Sequence, residues 1–272
     1  MPENGSLIRH AACAACLVLF CSVSAGAQQP VQPVASPAPE KAGFLTRGDF
    51  QLAGSALADG DIRFQWDTHW GGSVDMLDYV AGRVGVYADY EAVLGNELRP
   101  FDPNQGNYTL EVFGSARVND TTEIVGIFHH VSRHLSDRPK RFAVAMNLAG
   151  VRALKHFEVG KSSIDLDAEG GRIVARAFVD YTWIAELHGQ VRHPLSERVV
   201  VFGRGMGQWF ATDGELPDRG TLGGGFLEAG IRLRGGAATM ELFAGVERRV
   251  DADPVERLPV RWAVAGVRLL SR

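Results

Sequence analysis

Apolar and polar side chains alternate along most of the chain after residue 61. The longest alternating stretch is 171–187, in which one parity is mainly apolar and the other includes Arg172, Arg176, Asp180 and Glu186. Successive side chains of a β-strand point to opposite faces of a sheet, so a period of two predicts strands rather than helices. Turn signals divide the alternating stretches, which is typical of an antiparallel sheet.

The alternating stretches are too long for an ordinary soluble sheet. They run over about 9 to 16 residues, whereas strands of globular proteins average about 5–6 and tilted membrane strands need about 9–11. Their charged parity would be costly in a dry core but suits the wet lumen of a barrel. We count ten stretches, at 61–70, 79–93, 107–118, 121–134, 140–157, 171–187, 197–211, 222–234, 237–249 and 259–270.

These features predict an all-β fold, namely a closed antiparallel up-and-down transmembrane β-barrel of about ten strands, within a range of roughly 8 to 12. The expected lumen lining includes Arg83, Glu111 and Glu228, and its mixed signs favour ion pairs across the barrel. A soluble periplasmic β-sandwich is the alternative, which shorter strands without an outer apolar belt would favour. Loop lengths place the tight turn 235–236 in the periplasm, so the stretch 121–134 would also end on that side.

The N-terminal residues 1–27 have the pattern of a secretory signal peptide. Arg9 precedes an apolar run, and Ala25 and Ala27 have the spacing that a signal peptidase accepts, so we expect cleavage after Ala27. Export and a barrel together predict the outer membrane of a Gram-negative bacterium. The rest of the chain divides into a Pro-rich linker at 28–43, an N-terminal segment at 44–60 that is a plug or an extra strand, and the barrel at 61–272.

The charge balance limits the partners. The formal net charge is −4 and no basic stripe stands out, so nucleic acid is not an expected partner. Expected partners are outer-membrane lipid and lipopolysaccharide, and the barrel-assembly machinery during insertion, while the oligomeric state stays open. About ten strands enclose an interior that side chains can largely fill. The first functional hypothesis is therefore a barrel of structural, binding or narrow-passage type with no defined reaction.

One polar cluster could carry chemistry. Three of the eight histidines lie close together at 129–134. On a strand, His130, Ser132 and His134 share one face, while His129 and Arg133 point the opposite way.

The neighbouring apolar residues predict which way this cluster faces. Val125, Ile127 and Val131 have the parity opposite to Ser132, and we expect them to lie against lipid. Ser132 and the histidines of its own parity would then face the lumen and hydrogen-bond to charged residues of other strands.

The run 130–137 resembles the H-x-S-x-H-L-x-D signature of an uncharacterised family of bacterial outer-membrane barrels. That resemblance implies fold and location but no activity. The same run is more loosely similar to the lipid A 3-O-deacylases, a similarity that implies Ser132 as the nucleophile and His130 as its base. Those enzymes orient the base with a Glu farther along the chain, where this sequence has no carboxylate; Asp137 and Glu123 are the remaining candidates.

Three interpretations of the cluster stay open. It is a structural polar group inside the lumen, or a site that binds a ligand, a metal or a proton and includes His134, Asp137 and His129. The third is the hydrolytic site of an outer-membrane lipid A ester hydrolase, with Ser132 and His130 as catalytic residues. An enzyme is the less expected outcome. No cofactor is expected, and the spacing specifies no metal site, because H-x-x-x-H binds zinc on a helix and this segment has the pattern of a strand.

Overall fold

Twelve antiparallel strands close into one barrel. The computed structural model describes residues 35–58, 60–135 and 143–271. Its strands are β1 (Gly43–Ala58), β2 (Trp66–Asp78), β3 (Arg83–Gly95), β4 (Asp102–Asn119), β5 (Thr122–Leu135), β6 (Val144–Val159), β7 (Ser162–Ala177), β8 (Tyr181–Pro194), β9 (Val199–Thr212), β10 (Thr221–Arg234), β11 (Ala238–Arg249) and β12 (Val260–Ser271). Each pairs with its neighbours in sequence, and β1 pairs with β12, so no edge stays open. Among the described residues, no helix is long and apolar enough to cross a membrane.

The closed circuit confirms the predicted all-β, antiparallel up-and-down barrel and excludes a two-layer sandwich. The expected count of about ten strands was too low for two reasons. Residues 43–58 form β1, whereas the sequence allowed either a plug or an extra strand for this segment. The stretch 171–187 is not one strand, because the chain turns at 178–180 and the stretch joins the end of β7 to the start of β8.

The same turn explains an error in assigning faces. In β7 the odd-numbered Ile173 is buried in the lumen, whereas in β8 the even-numbered Ile184 is. The inward parity therefore switches within a stretch whose alternation looks continuous. Arg172 and Arg176, which we expected to share a face with the β8 carboxylate Glu186, are exposed instead.

The outward face of the barrel is apolar. Large hydrophobic side chains are exposed at alternate positions of many strands, including Val84, Val86, Leu110, Val112, Leu187, Val191, Leu227, Leu242 and Val246. An apolar surface of this extent would be costly in water, but it forms the band that hydrocarbon chains require.

The lumen is braced by ion pairs, most of which join strands that are not adjacent in the sheet. Arg152 of β6 lies between Glu111 of β4 and Glu169 of β7, with Nη1–Oε1 and Nε–Oε2 distances of 2.9 and 2.8 Å. Three further arginines hold carboxylates in the same way: Arg83 with Asp75 and Glu123, Arg249 with Asp67, Glu91 and Glu247, and Arg268 with Glu228 and Glu241. These paired charges fill much of the interior, which argues against a wide pore in the described part of the chain.

One end of the lumen is covered by the connection between β11 and β12, residues 250–259, which we call the mouth loop. Its residues 251–254 are buried, and Ala252 packs with Phe64 and Trp262. The side chain of Arg133 reaches up from the lumen and donates to the carbonyl oxygen of Ala252 at 3.0 Å. The mouth loop, rather than the segment 44–60, therefore covers the lumen.

The two ends of the barrel differ in their connections. At the end where β1 begins and β12 ends they are short, at 79–82, 120–121, 160–161, 195–198 and 235–237. At the other end most are longer, at 59–65, 96–101, 136–143, 178–180, 213–220 and 250–259. Bacterial barrels turn tightly in the periplasm and carry longer loops outside, so β5 ends on the outer side. The periplasmic end expected for 121–134 is wrong, because the unrecognised turn 178–180 reverses every strand before it.

Candidate functional site

The polar cluster of β5 lies on the outside of the barrel. His130, Ser132 and His134 share the parity of Ile124 and Phe128, which are exposed. Ser132 is three positions from the end of the strand, on the side of the longer loops. The lumen placement expected for this cluster is therefore wrong.

Charged residues at both ends of β5 decide which face is inside. Glu123 and Arg133 share the parity of Val125 and Ile127. The carboxylate of Glu123 accepts a hydrogen bond from Nε of Arg83 at 2.9 Å, and Arg133 donates to a carbonyl oxygen of the mouth loop at 2.6 Å. Because these charges find partners in the lumen, Val125 and Ile127 turn inward with them and pack in an apolar cluster.

The adjacent strand β6 supplies a third polar side chain to the outer cluster. The register of β5 and β6 sets His130 directly opposite Asn147. Nδ1 of His130 lies 2.6 Å from Oδ1 of Asn147. An amide oxygen only accepts hydrogen bonds, so the imidazole proton lies on Nδ1 and the lone pair of Nε2 is left to act as a base.

Ser132 lies between two histidines of the same face. Its hydroxyl group is within 2.9 Å of Nε2 of His134, two residues after it. His130 lies two residues before it and is the histidine that Asn147 orients. Staggered rotamers of a serine side chain differ by about 120°, so a rotation about Cα–Cβ carries Oγ from one histidine towards the other.

Aromatic side chains on the outer surface lead to this cluster. Trp70, Tyr90, Tyr108 and Ser132 are consecutive partners across β2 to β5. The Trp70 and Tyr90 rings are 6.1 Å apart, and the Tyr90 and Tyr108 rings are 4.9 Å apart. The ring of His134 meets Tyr108 edge-on at 5.4 Å. Serine and both histidines thus adjoin an amphipathic aromatic surface, of the kind that lies at the level of lipid headgroups.

Two other predicted site residues do not join the cluster. His129 points into the lumen, where its Nδ1 lies 3.7 Å from Oε2 of Glu111. Asp137 lies outside the described residues. The structure thus brings His130, Ser132 and His134 together on one face and separates His129 from them.

Asn147 is the residue that sequence reasoning missed. We searched for a carboxylate to orient the base, and an amide serves that role in Cys-His-Asn proteases. Asn147 is the one strongly polar residue in the apolar run 143–151. A search of the next strand for a polar residue with outward parity would have found it.

No family model matches the chain, and no curated protein matches it in sequence. Solved structures are similar in fold. Escherichia coli outer membrane phospholipase A, in a mutant whose active-site asparagine is replaced by alanine, has a TM-score of 0.51 and 10% identity, covering 90% of this chain and 95% of that chain. The Salmonella typhi outer membrane phospholipase dimer with bound calcium has a TM-score of 0.51 and 10% identity, covering 90% of this chain and 94% of that one.

A porin has a similar fold as well. The KdgM porin, solved with disordered oligogalacturonate, has a TM-score of 0.47 and 8% identity, covering 82% of this chain and 98% of that chain. At identities this low the likeness concerns the fold alone. The closed circuit of strands and the likeness to the two phospholipase structures show that the chain has the fold of a bacterial outer-membrane β-barrel.

Proposed function

We propose that this protein is an outer-membrane hydrolase that cleaves acyl ester bonds of membrane lipids at the outer surface of its barrel. Ser132 is the nucleophile, His130 the general base, and Asn147 the residue that orients the base. The observation that carries the proposal is the His130–Asn147 hydrogen bond of 2.6 Å beside an outward-facing serine.

The proposed reaction has two steps. Ser132 Oγ attacks the acyl carbonyl carbon while Nε2 of His130 takes its proton, and the tetrahedral intermediate expels the lipid alcohol, which receives that proton. Water then attacks the acyl-serine in the same way, releasing the fatty acid and restoring the serine. Asn147 holds the imidazole with its proton on Nδ1 throughout, so Nε2 is available for both transfers.

The location of the cluster favours a lipid substrate. Polar groups on a lipid-facing surface are costly unless they are hydrogen-bonded, and such residues in membrane proteins are by default functional candidates. Trp66, Trp183 and Trp209 are exposed near the same ends of their strands as Ser132. Such a belt marks the membrane–water interface, where the ester groups of lipids also lie.

The names of two similar structures support the same reaction class. Both are outer membrane phospholipases, and one carries its mutation at an active-site asparagine. In this chain Asn147 is the asparagine that contacts the candidate base. The similarity to phospholipases does not identify the lipid that this protein uses, because a phospholipid and lipid A both present acyl esters at the outer surface.

The first sequence-based hypothesis, a barrel of structural, binding or narrow-passage type, rested on charged lumen residues such as Arg83 and Glu111, and it leaves the outer cluster without a role. His130, Ser132 and His134 are outside the lumen, so they neither line a passage nor brace the interior. The interior is braced instead by arginine–carboxylate pairs such as Arg152 with Glu111. Bracing is therefore a property of the lumen, and the outer cluster is free for chemistry.

The proposal is tested with the refolded protein in mixed micelles that contain either phosphatidylethanolamine or lipid A. Released fatty acids are measured by mass spectrometry for the wild type, Ser132→Ala and the matched variant Ser115→Ala, whose serine faces the lumen. We expect release from one of the two lipids, a loss of about 1,000-fold or more in Ser132→Ala, and activity in folded Ser115→Ala. No release from either lipid, or an active Ser132→Ala, would refute the hydrolase.

A further inference from the structure

A second cluster lies on the opposite side of the barrel wall, inside the lumen. Asp67 and His69 of β2 and Glu91 of β3 each offer one ligand atom, and these atoms all lie within 4.8 Å of one another. The β2–β3 register sets His69 directly opposite Glu91. Asp67 and His69 are 1% and 5% exposed. The strands alone therefore place a nitrogen and two carboxylates around one point.

His69 is oriented as a metal-binding histidine would be. Its Nδ1 lies 2.8 Å from Oδ2 of Asp89, which is also buried. Histidines that bind metals through one ring nitrogen usually donate the other N–H to a carboxylate, which fixes the ring and makes the free nitrogen more basic. The contact with Asp89 leaves Nε2 of His69 directed at Asp67, whose Oδ2 is 3.7 Å away.

Several buried polar atoms around this point have no hydrogen-bond partner among the described residues. They include Nε2 of His69, Oδ1 of Asp67 and Oδ1 of Asn107. Buried polar atoms are nearly always paired in proteins, so a group of unpaired ones around one point requires a cause. In the neutral tautomer of His69 that carries its proton on Nδ1, Nε2 has a lone pair, as the two oxygen atoms do. All three atoms could then bind a cation.

The charge of the surroundings also fits a cation. Arg249 binds Glu91 and Glu247, each at 2.8 Å, as well as Asp67. Asp67, Glu91 and Glu247 thus share the single guanidinium group of Arg249, and Asp89 adds a fourth carboxylate beside His69, so carboxylates outnumber cations in this group. A cavity of about 170 Å³, lined by His69, Asp89 and Glu91 but not by Asp67, lies beside the proposed ligands and leaves room for water.

We propose that Asp67, His69 and Glu91 form a binding site for a divalent transition-metal ion inside the barrel, with Asp89 as the positioning residue of His69. An imidazole with carboxylate oxygens is a donor set that suits Zn²⁺ and related ions. Asn107 donates to Oε2 of Glu91 at 2.6 Å and so holds the third ligand. The ion would tie β2 to β3 at the level of the mouth loop, and the proposal is independent of the ester hydrolase.

The test uses the refolded full-length mature protein without a polyhistidine tag, freed of metal by a chelator and then titrated with Zn²⁺ in a calorimeter. We expect one ion per chain in the wild type. His69→Gln should weaken binding by at least about 100-fold, and Asp89→Asn, which keeps every ligand, by about 10- to 100-fold. With Co²⁺ as the probe, the wild type should show a visible absorption band that His69→Gln lacks.

The matched control is His188→Gln, because His188 also faces the lumen but its Nε2 contacts Glu186 at 3.1 Å. This variant should bind Zn²⁺ as the wild type does. Folding is checked by heat-dependent electrophoretic mobility, and Asp67→Asn replaces His69→Gln should the latter fail to fold. No stoichiometric Zn²⁺ binding by the wild type, or equal binding by the ligand variants, would overturn the site.

Discussion

The two faces of β5 carry polar residues for different reasons. On the inner face Glu123 and Arg133 reach partners on other strands and on the mouth loop. On the outer face His130 and Ser132 contact Asn147 and His134, and no charged partner of the two is described there. Inside a barrel, polar residues are stabilised by hydrogen bonds and ion pairs with one another across the lumen. On the side that faces lipid, the fold gives no reason to keep them, so their presence points to a function.

This contrast predicts that stability and activity separate by face. Removing one member of a buried ion pair leaves an unpaired charge and costs about 3–5 kcal/mol of folding free energy. Surface substitutions change stability by about 0.5 kcal/mol or less. Inner variants of β5 and its neighbours should therefore lose stability, whereas outer variants should lose turnover in a barrel that folds normally.

After loss of the nucleophile itself, the largest expected effect is on the outer face, at Asn147. Asn147→Ala should lower the rate of ester hydrolysis by about 100- to 10,000-fold, because an unoriented imidazole loses most of its value as a base. Its midpoint of unfolding in urea should stay near that of the wild type.

The matched control for Asn147→Ala is Asn107→Ala, which makes the same change in the lumen on β4. Asn107 donates to Glu91 at 2.6 Å, so its loss should lower stability by about 1.5–3 kcal/mol and leave turnover of the folded protein intact. An Asn147→Ala protein that hydrolyses lipid at the wild-type rate would remove Asn147 from the mechanism.

The largest effect on the inner face is expected at Arg152. Arg152→Met leaves Glu111 and Glu169 without their shared cation and should reduce the free energy of unfolding by about 3–5 kcal/mol. Urea unfolding followed by tryptophan fluorescence measures the loss. Hydrolysis per folded molecule should be unchanged. If turnover per folded molecule fell while the free energy of unfolding stayed unchanged, the assignment of roles to the two faces would be wrong.

Much of the barrel follows from the sequence because its cause is local. Alternation is a property of neighbouring residues, and nine of the ten segments each overlap a single strand, although 61–70 covers only the first five residues of β2. The charged positions Arg83, Glu111 and Glu228 are buried in the lumen as expected. A charge within a membrane strand is costly on the lipid side, which made the direction of these three predictable, whereas Arg172 and Arg176 precede the turn at 178–180 and were assigned to the wrong face.

The errors came from features that local patterns do not encode. The turn at 178–180, Phe-Val-Asp, contains neither glycine nor proline and keeps the alternation of its flanks. The face of β5 depended on where Glu123 finds a partner, which is Arg83, forty positions earlier in the chain. The contact between His130 and Asn147 requires the register of β5 against β6, and the sequence of neither strand determines that register.

A smaller effect is expected at His134. Comparing it with His130 distinguishes the roles of the two histidines beside Ser132. His130→Ala should reduce hydrolysis by about 100-fold or more. His134→Ala should reduce it less than about tenfold, because His134 holds the serine in one rotamer without serving as the base. Steady-state rates on the same micelles compare the two variants. A greater loss in His134→Ala than in His130→Ala would make His134 the base and leave Asn147 without a catalytic role.

The smallest expected effect concerns the mouth loop, on the lumen side of the comparison. Arg219 binds Asp180 through two hydrogen bonds of 2.8 and 2.9 Å and also binds Asp251 of the mouth loop at 2.7 Å. Burial alone would raise the pKa of Asp180, but the hydrogen bonds and the charge of Arg219 hold that pKa below its ordinary value. The ion pair therefore stabilises the folded protein fully above the unfolded-state pKa of about 3.9 and loses this contribution as the pH falls through the lower folded-state pKa.

Hydrogen exchange measures this effect directly. After correction for intrinsic rates, amides of the mouth loop should exchange a few-fold faster at pH 3 than at pH 7. Asp180→Asn removes the charge but keeps the shape, so at pH 7 its mouth loop should exchange faster than that of the wild type at the same pH. The halves of β4 and β5 farther from the mouth loop should show little change in either comparison, because these strands contact the loop near its end of the barrel, through Gln105 and Arg133. Equal protection of the mouth loop at both pH values, with Asp180→Asn indistinguishable from the wild type, would mean that the packing of Ala252 and the hydrogen bonds from Arg133 hold the loop closed without this ion pair.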